Sequence, residues 1–366
     1  MVVGLACSRI GPISLSGEWR AAIGTNDYAL LRRPGCTRTA YSGAVSNLER
    51  TSAASLSEEC RPSEPRPVHE LVAARQVDLG EGTRVLRLLP TAQRATIGAW
   101  CFVDHFGPLD ISGHPGMRVP PHPHIGLQTV TWLIEGEVLH RDSLGNRQSI
   151  RPGQLNLMTA GRGIAHSEES PPDHPSALPT SLHGVQLWAA LPARSSGIDP
   201  GFEHVPGLPF AETGGARVTV LAGEMLGARS PARAWSELFG ADVEIRSSAA
   251  AELPLRTDFE YGALVLAGEA SIDGVSVRPA NLLYLGTGRR EISLRAAEPA
   301  RILLLGGEPF GGPLFMWWNF VGHSPGEIEE ARSDWEAGRR FGEVHGFDGP
   351  RMEAPSLPPG RLRPRA

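Results

Sequence analysis

The chain has 366 residues, enough for two domains of ordinary size. Its formal net charge is -5, and all 35 basic side chains are arginines, because no lysine occurs. That balance argues against direct nucleic-acid binding, and no apolar run is long enough to span a membrane.

Gly (43) and Pro (32) are abundant and aromatics are only 6%, which favours short strands and tight turns over long helices. The lysine-free, Ala-, Gly-, Pro- and Arg-rich composition reads as the codon bias of a GC-rich genome. Cys7, Cys36, Cys60 and Cys101 form no C-x-x-C pair, so neither a disulfide framework nor a zinc finger is expected. A reducing cytoplasm is the simplest home for such a chain. The opening MVVGLAC is too short for a secretion signal, and no positive charge precedes it.

Residues 1–67 lack periodicity and read as a disordered extension. From Leu71 the texture changes to short apolar runs between turn signals: TRVLRLLP, IGAWCFVDHF, LQTVTWLIEGEV, LNLMTAG and HGVQLWAALP. Between Arg141 and Arg147, the Gly145-Asn146 pair marks a hairpin turn.

The second half repeats this grammar in RVTVLAG, ADVEIRSS, YGALVLAGEASI, NLLYLG, EISLRA and ARILLLGG. WLIEGEV…RPGQLNLMTAG in the first half aligns with LVLAGEA…RPANLLYLGTG in the second. Gly136 then matches Gly268, and Pro152 matches Pro279. The match identifies an internal duplication and predicts two similar β-domains. A helix is expected from the capping box Ser324-Pro325-Gly326-Glu327, with Ile328, Ala331 and Trp335 on one face against a barrel. Trp317 and Trp318 read as interdomain packing, and the segment after Phe347 as a disordered tail.

Two pairs of residues carry the chemistry. His122 and His124 lie two apart before an apolar strand, so their rings project to one side. His166 and Glu168 repeat that spacing some 40 residues later. Adjacent strands of a closed barrel can bring both pairs to one interior point, giving three imidazoles and a carboxylate. Such a set suits Fe(II), Zn, Ni, Cu or Mn, and the lack of thiolate disfavours a structural zinc site. The duplication supplies a control. Counting from the matched Gly and Pro puts Pro254, Arg256, Ser293 and Arg295 at the four ligand positions of the second copy. None is a usual metal ligand, so the barrel itself does not require the four.

His140 follows the Gly136 turn and reads as a packed or solvated histidine rather than a pocket residue. His105 reads as structural, Cys101 as a buried inert thiol, and His114, His174 and His183 receive no role.

The run HPHIGLQTVTWLIEGEVLHRDSLGNRQSIRPGQLNLMTAGRGIAHSE resembles the signature of the pirin family within the cupin superfamily. FVDHFGP and EPFGGPLFMWWNFVGHSPGEIEEARSDW are similar to pirins as well, so the resemblance spans about residues 69–345. It implies an all-β bicupin of two cupin barrels with a short C-terminal helix. The expected division is an extension at 1–67, a metal-binding cupin at 68–200, a ligand-free cupin at 201–345 and a flexible tail at 346–366.

The resemblance also implies one divalent metal, Fe(II) foremost, held by His122, His124, His166 and Glu168 in the first barrel alone. Many members carry Glu where this chain has Gln128; that position is not a ligand in pirins, so the change implies altered hydrogen bonding only. Some pirins resemble quercetin 2,3-dioxygenases. That points to a phenolic substrate and O2, with Glu168 as the catalytic base. Other members imply a regulatory protein that binds a transcriptional regulator or a metabolic enzyme without turnover. A monomer is expected.

Overall fold

The computed structural model describes residues 66–78, 84–112, 116–171, 181–360 and 362–365. Nearly all of the extension, Cys7, Cys36, Cys60, His114 and His174 lie outside the described residues.

The apolar runs of the first half form β1 (Pro67–Ala73), β2 (Arg75–Asp78), β3 (Arg84–Leu89), β4 (Trp100–Asp110), β5 (Arg118–His124), β6 (Leu127–Glu135), β7 (Val138–Asp142), β8 (Arg147–Ile150), β9 (Leu155–Thr159), β10 (Ile164–Glu169), β11 (Ser181–Ala190) and β12 (Gly201–Val205). Those of the second form β13 (Phe210–Thr213), β14 (Ala216–Ala222), β15 (Glu224–Met225), β16 (Ala228–Arg229), β17 (Leu238–Ile245), β18 (Ala249–Pro254), β19 (Glu260–Ala267), β20 (Ala270–Ile272), β21 (Val275–Val277), β22 (Asn281–Gly286), β23 (Glu291–Ala296), β24 (Ala300–Gly307), β25 (Phe315–Trp317) and β26 (Phe320–Gly322). One α-helix, α1 (Pro325–Glu336), follows.

The duplication reappears as matched topology. A seven-stranded sheet β12-β9-β6-β11-β4-β3-β2 and a four-stranded sheet β5-β10-β7-β8 make the first barrel. The second has β1-β22-β19-β24-β17-β14-β13 and β18-β23-β20-β21. Gly136 (φ 89°) and Gly268 (φ 72°) open the matching hairpins. A Cβ on either would meet a backbone carbonyl, of Ser181 or Pro299, at 2.6 and 2.4 Å. Both turns therefore demand glycine, which is why these residues anchor the sequence repeat.

Alternation along each strand sorts side chains to two faces. On β6, Val130 and Trp132 face the other barrel, as do Val185, Leu187 and Ala189 on β11. They meet Leu264, Leu266, Leu282, Tyr284, Leu303 and Leu305 of the second large sheet. The intervening Ala263, Val265, Leu283, Leu285, Ile302 and Leu304 fill the interior of the second barrel. The two seven-stranded sheets thus pack face to face around a shared apolar layer. Trp132 Nε1 donates to Asp242 Oδ2 at 3.0 Å across it, and Trp100 Nε1 to the Phe239 carbonyl at 2.9 Å.

The chain trades strands between halves. β1 pairs with β22 of the second sheet, while β12, after residue 200, pairs with β9 of the first. The expected helix also returns to the first barrel. Ser324 caps it by accepting from the Glu327 amide, and Glu327 Oε2 accepts from the His323 amide. Ile328, Ala331 and Trp335 pack with Trp317, Trp318 and Phe320 against Ile125 and Ala165. The tryptophan pair therefore packs between α1 and the first barrel. The described residues after Phe347 lie in no helix or strand, yet Ala354 and Leu362 are buried in the same cluster. Along this stretch the Met352 amide donates to the Pro121 carbonyl at 2.8 Å.

Candidate metal centre

β10 lies between β5 and β7 in the small sheet of the first barrel. Its register sets His166 opposite His122 on β5, and Glu168 opposite His140 on β7. The β5–β10 ladder shifts register between His166 and Glu168. His122, His124 and His166 converge, with one ring nitrogen from each within 4.8 Å of the others. Glu168 forms a second such group with His166 and His140. His166 belongs to both, so the two groups adjoin. All five side chains are buried.

Two of the rings have their tautomers fixed by carbonyls, which only accept. His122 Nδ1–H donates to the Pro120 carbonyl at 2.8 Å, and His124 Nδ1–H to the Asn319 carbonyl at 3.0 Å. In both, the Nε2 lone pair is left free. His124 Nε2 lies 3.0 Å from His166 Nε2. Two bare lone pairs at that distance repel, so the pair needs a proton or a cation between or beside them. Burial holds His122 down at about 4, against the ordinary 6.5. Burial and then the neighbouring imidazoles hold His124 and His166 well below their usual value. Neutral imidazoles are the form that binds metal. The residues present therefore fit a divalent ion with nitrogen preference.

Glu168 is pushed up by burial, opposed by His140 and by hydrogen bonds from Thr131 and Gln186. Thr131 Oγ1 lies 3.1 Å from Glu168 Oε1 and 2.9 Å from Gln186 Oε1. His140, read from sequence as an uninvolved histidine, is instead built into the centre. Its Nδ1 is 3.4 Å from His166 Nδ1, its Nε2 is 3.2 Å from Asp142 Oδ2, and its ring stacks on Phe202 at 4.4 Å. The signal was present as His140 and Asp142 at strand spacing. Thr131, Gln186 and the Asn319 carbonyl were not identified, since nothing in one sequence distinguishes them from core polar residues.

Gln128 points elsewhere. Its Nε2 donates to Thr159 Oγ1 at 2.9 Å and to the Arg233 carbonyl at 3.0 Å. His105 and His183, on β4 and β11, face each other with Nε2 atoms 2.8 Å apart, outside either metal-type group. Cys101 is free and fully buried, and burial pushes its thiol up to about 12, as expected of an inert cysteine.

The second barrel offers no such group among the described residues. Pro254 and Ser293, at the counted positions of His122 and His166, do not pair as those two do: Pro254 faces Glu291, and Ser293 faces Glu252. The β18–β19 connection is longer than the β5–β6 connection, so β18 ends earlier relative to the glycine used for counting.

Two barrels sharing this topology, with clustered histidines in only one, define a double-barrel cupin. The chain belongs to the pirin family. The family's Pirin domain matches residues 82–189, and the Pirin C-terminal cupin domain matches residues 240–342. A Pseudomonas aeruginosa protein named "Putative quercetin 2,3-dioxygenase" is 49% identical over 315 residues, covering 86% of this chain and 98% of its own length. A pirin-like protein of Caulobacter vibrioides is 41% identical over 273 residues, covering 73% and 92%. The crystal structure of quercetin 2,3-dioxygenase from Acinetobacter baumannii superposes with a TM-score of 0.77 at 44% identity, covering 81% of this chain and 97% of that one.

Proposed function

We propose that this pirin is a metal-dependent dioxygenase acting on a flavonol or a related phenol, with its metal held by His122, His124, His166 and Glu168. The observation that carries the reading is the meeting of three buried neutral imidazoles beside a buried carboxylate. The names of the Pseudomonas and Acinetobacter relatives support the substrate class. A bound divalent ion, Fe(II) in our reading, supplies Lewis acidity and redox capacity.

The chain's own residues do the rest. His122 and His124 keep Nε2 unprotonated because Pro120 and Asn319 hold the other ring nitrogen. Glu168 accepts the phenolic proton at a carboxylate oxygen. Thr131 fixes the orientation of this carboxylate. Trp188, edge-on to His124 at 5.1 Å, and Phe202 supply apolar walls suited to a flat ring. We place the protein in the cytoplasm, in keeping with its buried free thiol.

The test pairs elemental analysis with O2 uptake on one sample loaded with iron under anaerobic conditions. We expect one metal per chain and O2 consumption on adding quercetin. Full metal content without O2 uptake on any of a flavonol and catechol panel would sink the dioxygenase reading.

A further inference from the structure

The second barrel has a cavity of ≈ 520 Å³ at one end, lined by none of the clustered histidines. It opens where the β18–β19 connection meets the β15–β16 hairpin, and Pro254 and Arg256 stand on its rim. At the corresponding end of the first barrel β26 docks on the β5–β6 connection, through the Val321 amide on the Ile125 carbonyl at 3.2 Å. The inner wall of the cavity is the barrel core itself, in Met225, Phe239, Phe259 and Tyr261. At the hairpin tip Leu226 is 41% exposed and sits at φ 52°, a conformation unfavourable for leucine.

Polar groups in this cavity are few and specific. Tyr261 is buried, and its hydroxyl accepts from the Arg256 amide at 3.0 Å. Among the described residues no hydrogen bond donated by this hydroxyl is found. The Arg256 guanidinium lies 4.0 Å over the Phe259 ring and is already paired with Asp258 and Glu237. Arg229 is paired with Glu224. A charged ligand would have to break one of these pairs, whereas a neutral ring leaves them intact.

We propose that this cavity binds a neutral, planar aromatic compound whose carbonyl oxygen accepts the Tyr261 hydroxyl proton. The rings lie against Met225, Phe239 and Phe259, in a volume typical of small-molecule sites. The site is independent of the metal centre and of the reaction proposed for it.

Equilibrium dialysis of the full chain, stripped of metal, against flavone tests this. Flavone is a neutral aromatic ketone without the hydroxyls needed for metal chelation. We expect one flavone per chain, bound about 5-fold more weakly by Tyr261→Phe, the scale of one hydrogen bond. Pro254→Trp, which places bulk at the rim, should abolish binding, and anionic 1-naphthoate should bind at least about 10-fold more weakly than flavone to the wild type. Melting temperature serves as the folding control, and the Tyr261→Phe result stands alone if Pro254→Trp fails to fold. No flavone binding up to its solubility limit would overturn the proposal. So would binding indifferent to Tyr261→Phe, or naphthoate binding equal to flavone.

Discussion

The two barrels share strand order, hairpin glycines and a common apolar layer, yet their interiors differ in kind. The second is lined almost wholly by aliphatic side chains: Val218, Val220, Ala263, Val265, Leu283, Ile302 and Leu304. The first holds His122, His124, His140, His166, Glu168 and Thr131 in the same kind of enclosed space. Burying so many polar groups costs several kcal/mol unless each finds a partner. An apolar filling was available to this architecture, as the second barrel demonstrates. The proposed chemistry accounts for the cost of the polar interior, and the comparison can be attacked from either barrel.

The largest effect is expected from His124→Ala. It removes one proposed ligand and frees the Asn319 carbonyl that oriented it. Losing an outer partner of a ligand alone costs about 10–100-fold in metal affinity, so loss of the ligand itself should exceed ~100-fold. Elemental analysis after dialysis should find little metal, and O2 uptake with quercetin should disappear. Retention of one metal per chain would show that the centre lies elsewhere.

Acid should discriminate between the barrels next. Burial holds His105 and His183 at about 4, with repulsion between the paired rings adding to the shift of His105. In the unfolded chain both return to about 6.5. Between those values the unfolded state binds the extra protons, so stability is complete above 6.5 and falls as pH drops toward 4. The slope is at most about 1.4 kcal/mol per pH unit for each histidine. Denaturant titrations of wild type and His183→Gln over this window should give a shallower pH dependence in the variant. Equal slopes would mean that these rings do not titrate as their burial requires.

Gln128 gives a smaller, sharper test. Its amide donates to Thr159 and to the Arg233 carbonyl, which fits a structural role. Gln128→Glu turns that donor into an acceptor facing a carbonyl, at a cost of about 1–3 kcal/mol. Metal content should stay at the wild-type value while the melting temperature falls. A gain in metal affinity would place residue 128 in the coordination sphere.

These expectations divide along the line between what one sequence can and cannot carry. The duplication was readable because glycine is obligatory at 136 and 268, and such positions survive divergence. The helix was readable from Ser324 and Glu327 because capping is local. His122, His124 and His166 were readable because strand spacing puts pairs on one side. His140 was undervalued because its place depends on the β7–β10 register, a non-local quantity. The exchange of β1 and β12 between sheets, and the return of α1 to the first barrel, likewise depend on pairings far apart in sequence. The slip of two residues that puts Glu252 rather than Pro254 opposite Ser293 arises in a loop whose length a fixed offset ignores.

That slip sets the smallest expected effect and the cleanest control. Glu252 and Ser293 pair across the two strands that match those carrying His122 and His166, but on the outward face, because Ala251, Leu253, Ile292 and Leu294 fill the interior there. Glu252 is exposed and Ser293 half-buried, and neither belongs to a metal-type group. Replacing both with alanine should change stability by no more than about 0.5 kcal/mol each. Metal stoichiometry and O2 uptake should match the wild type. If the double variant instead lost metal, the carboxylate of Glu252 would be a ligand in its own right. The division into one polar, working barrel and one apolar, supporting barrel would then fail, because the site would draw on both.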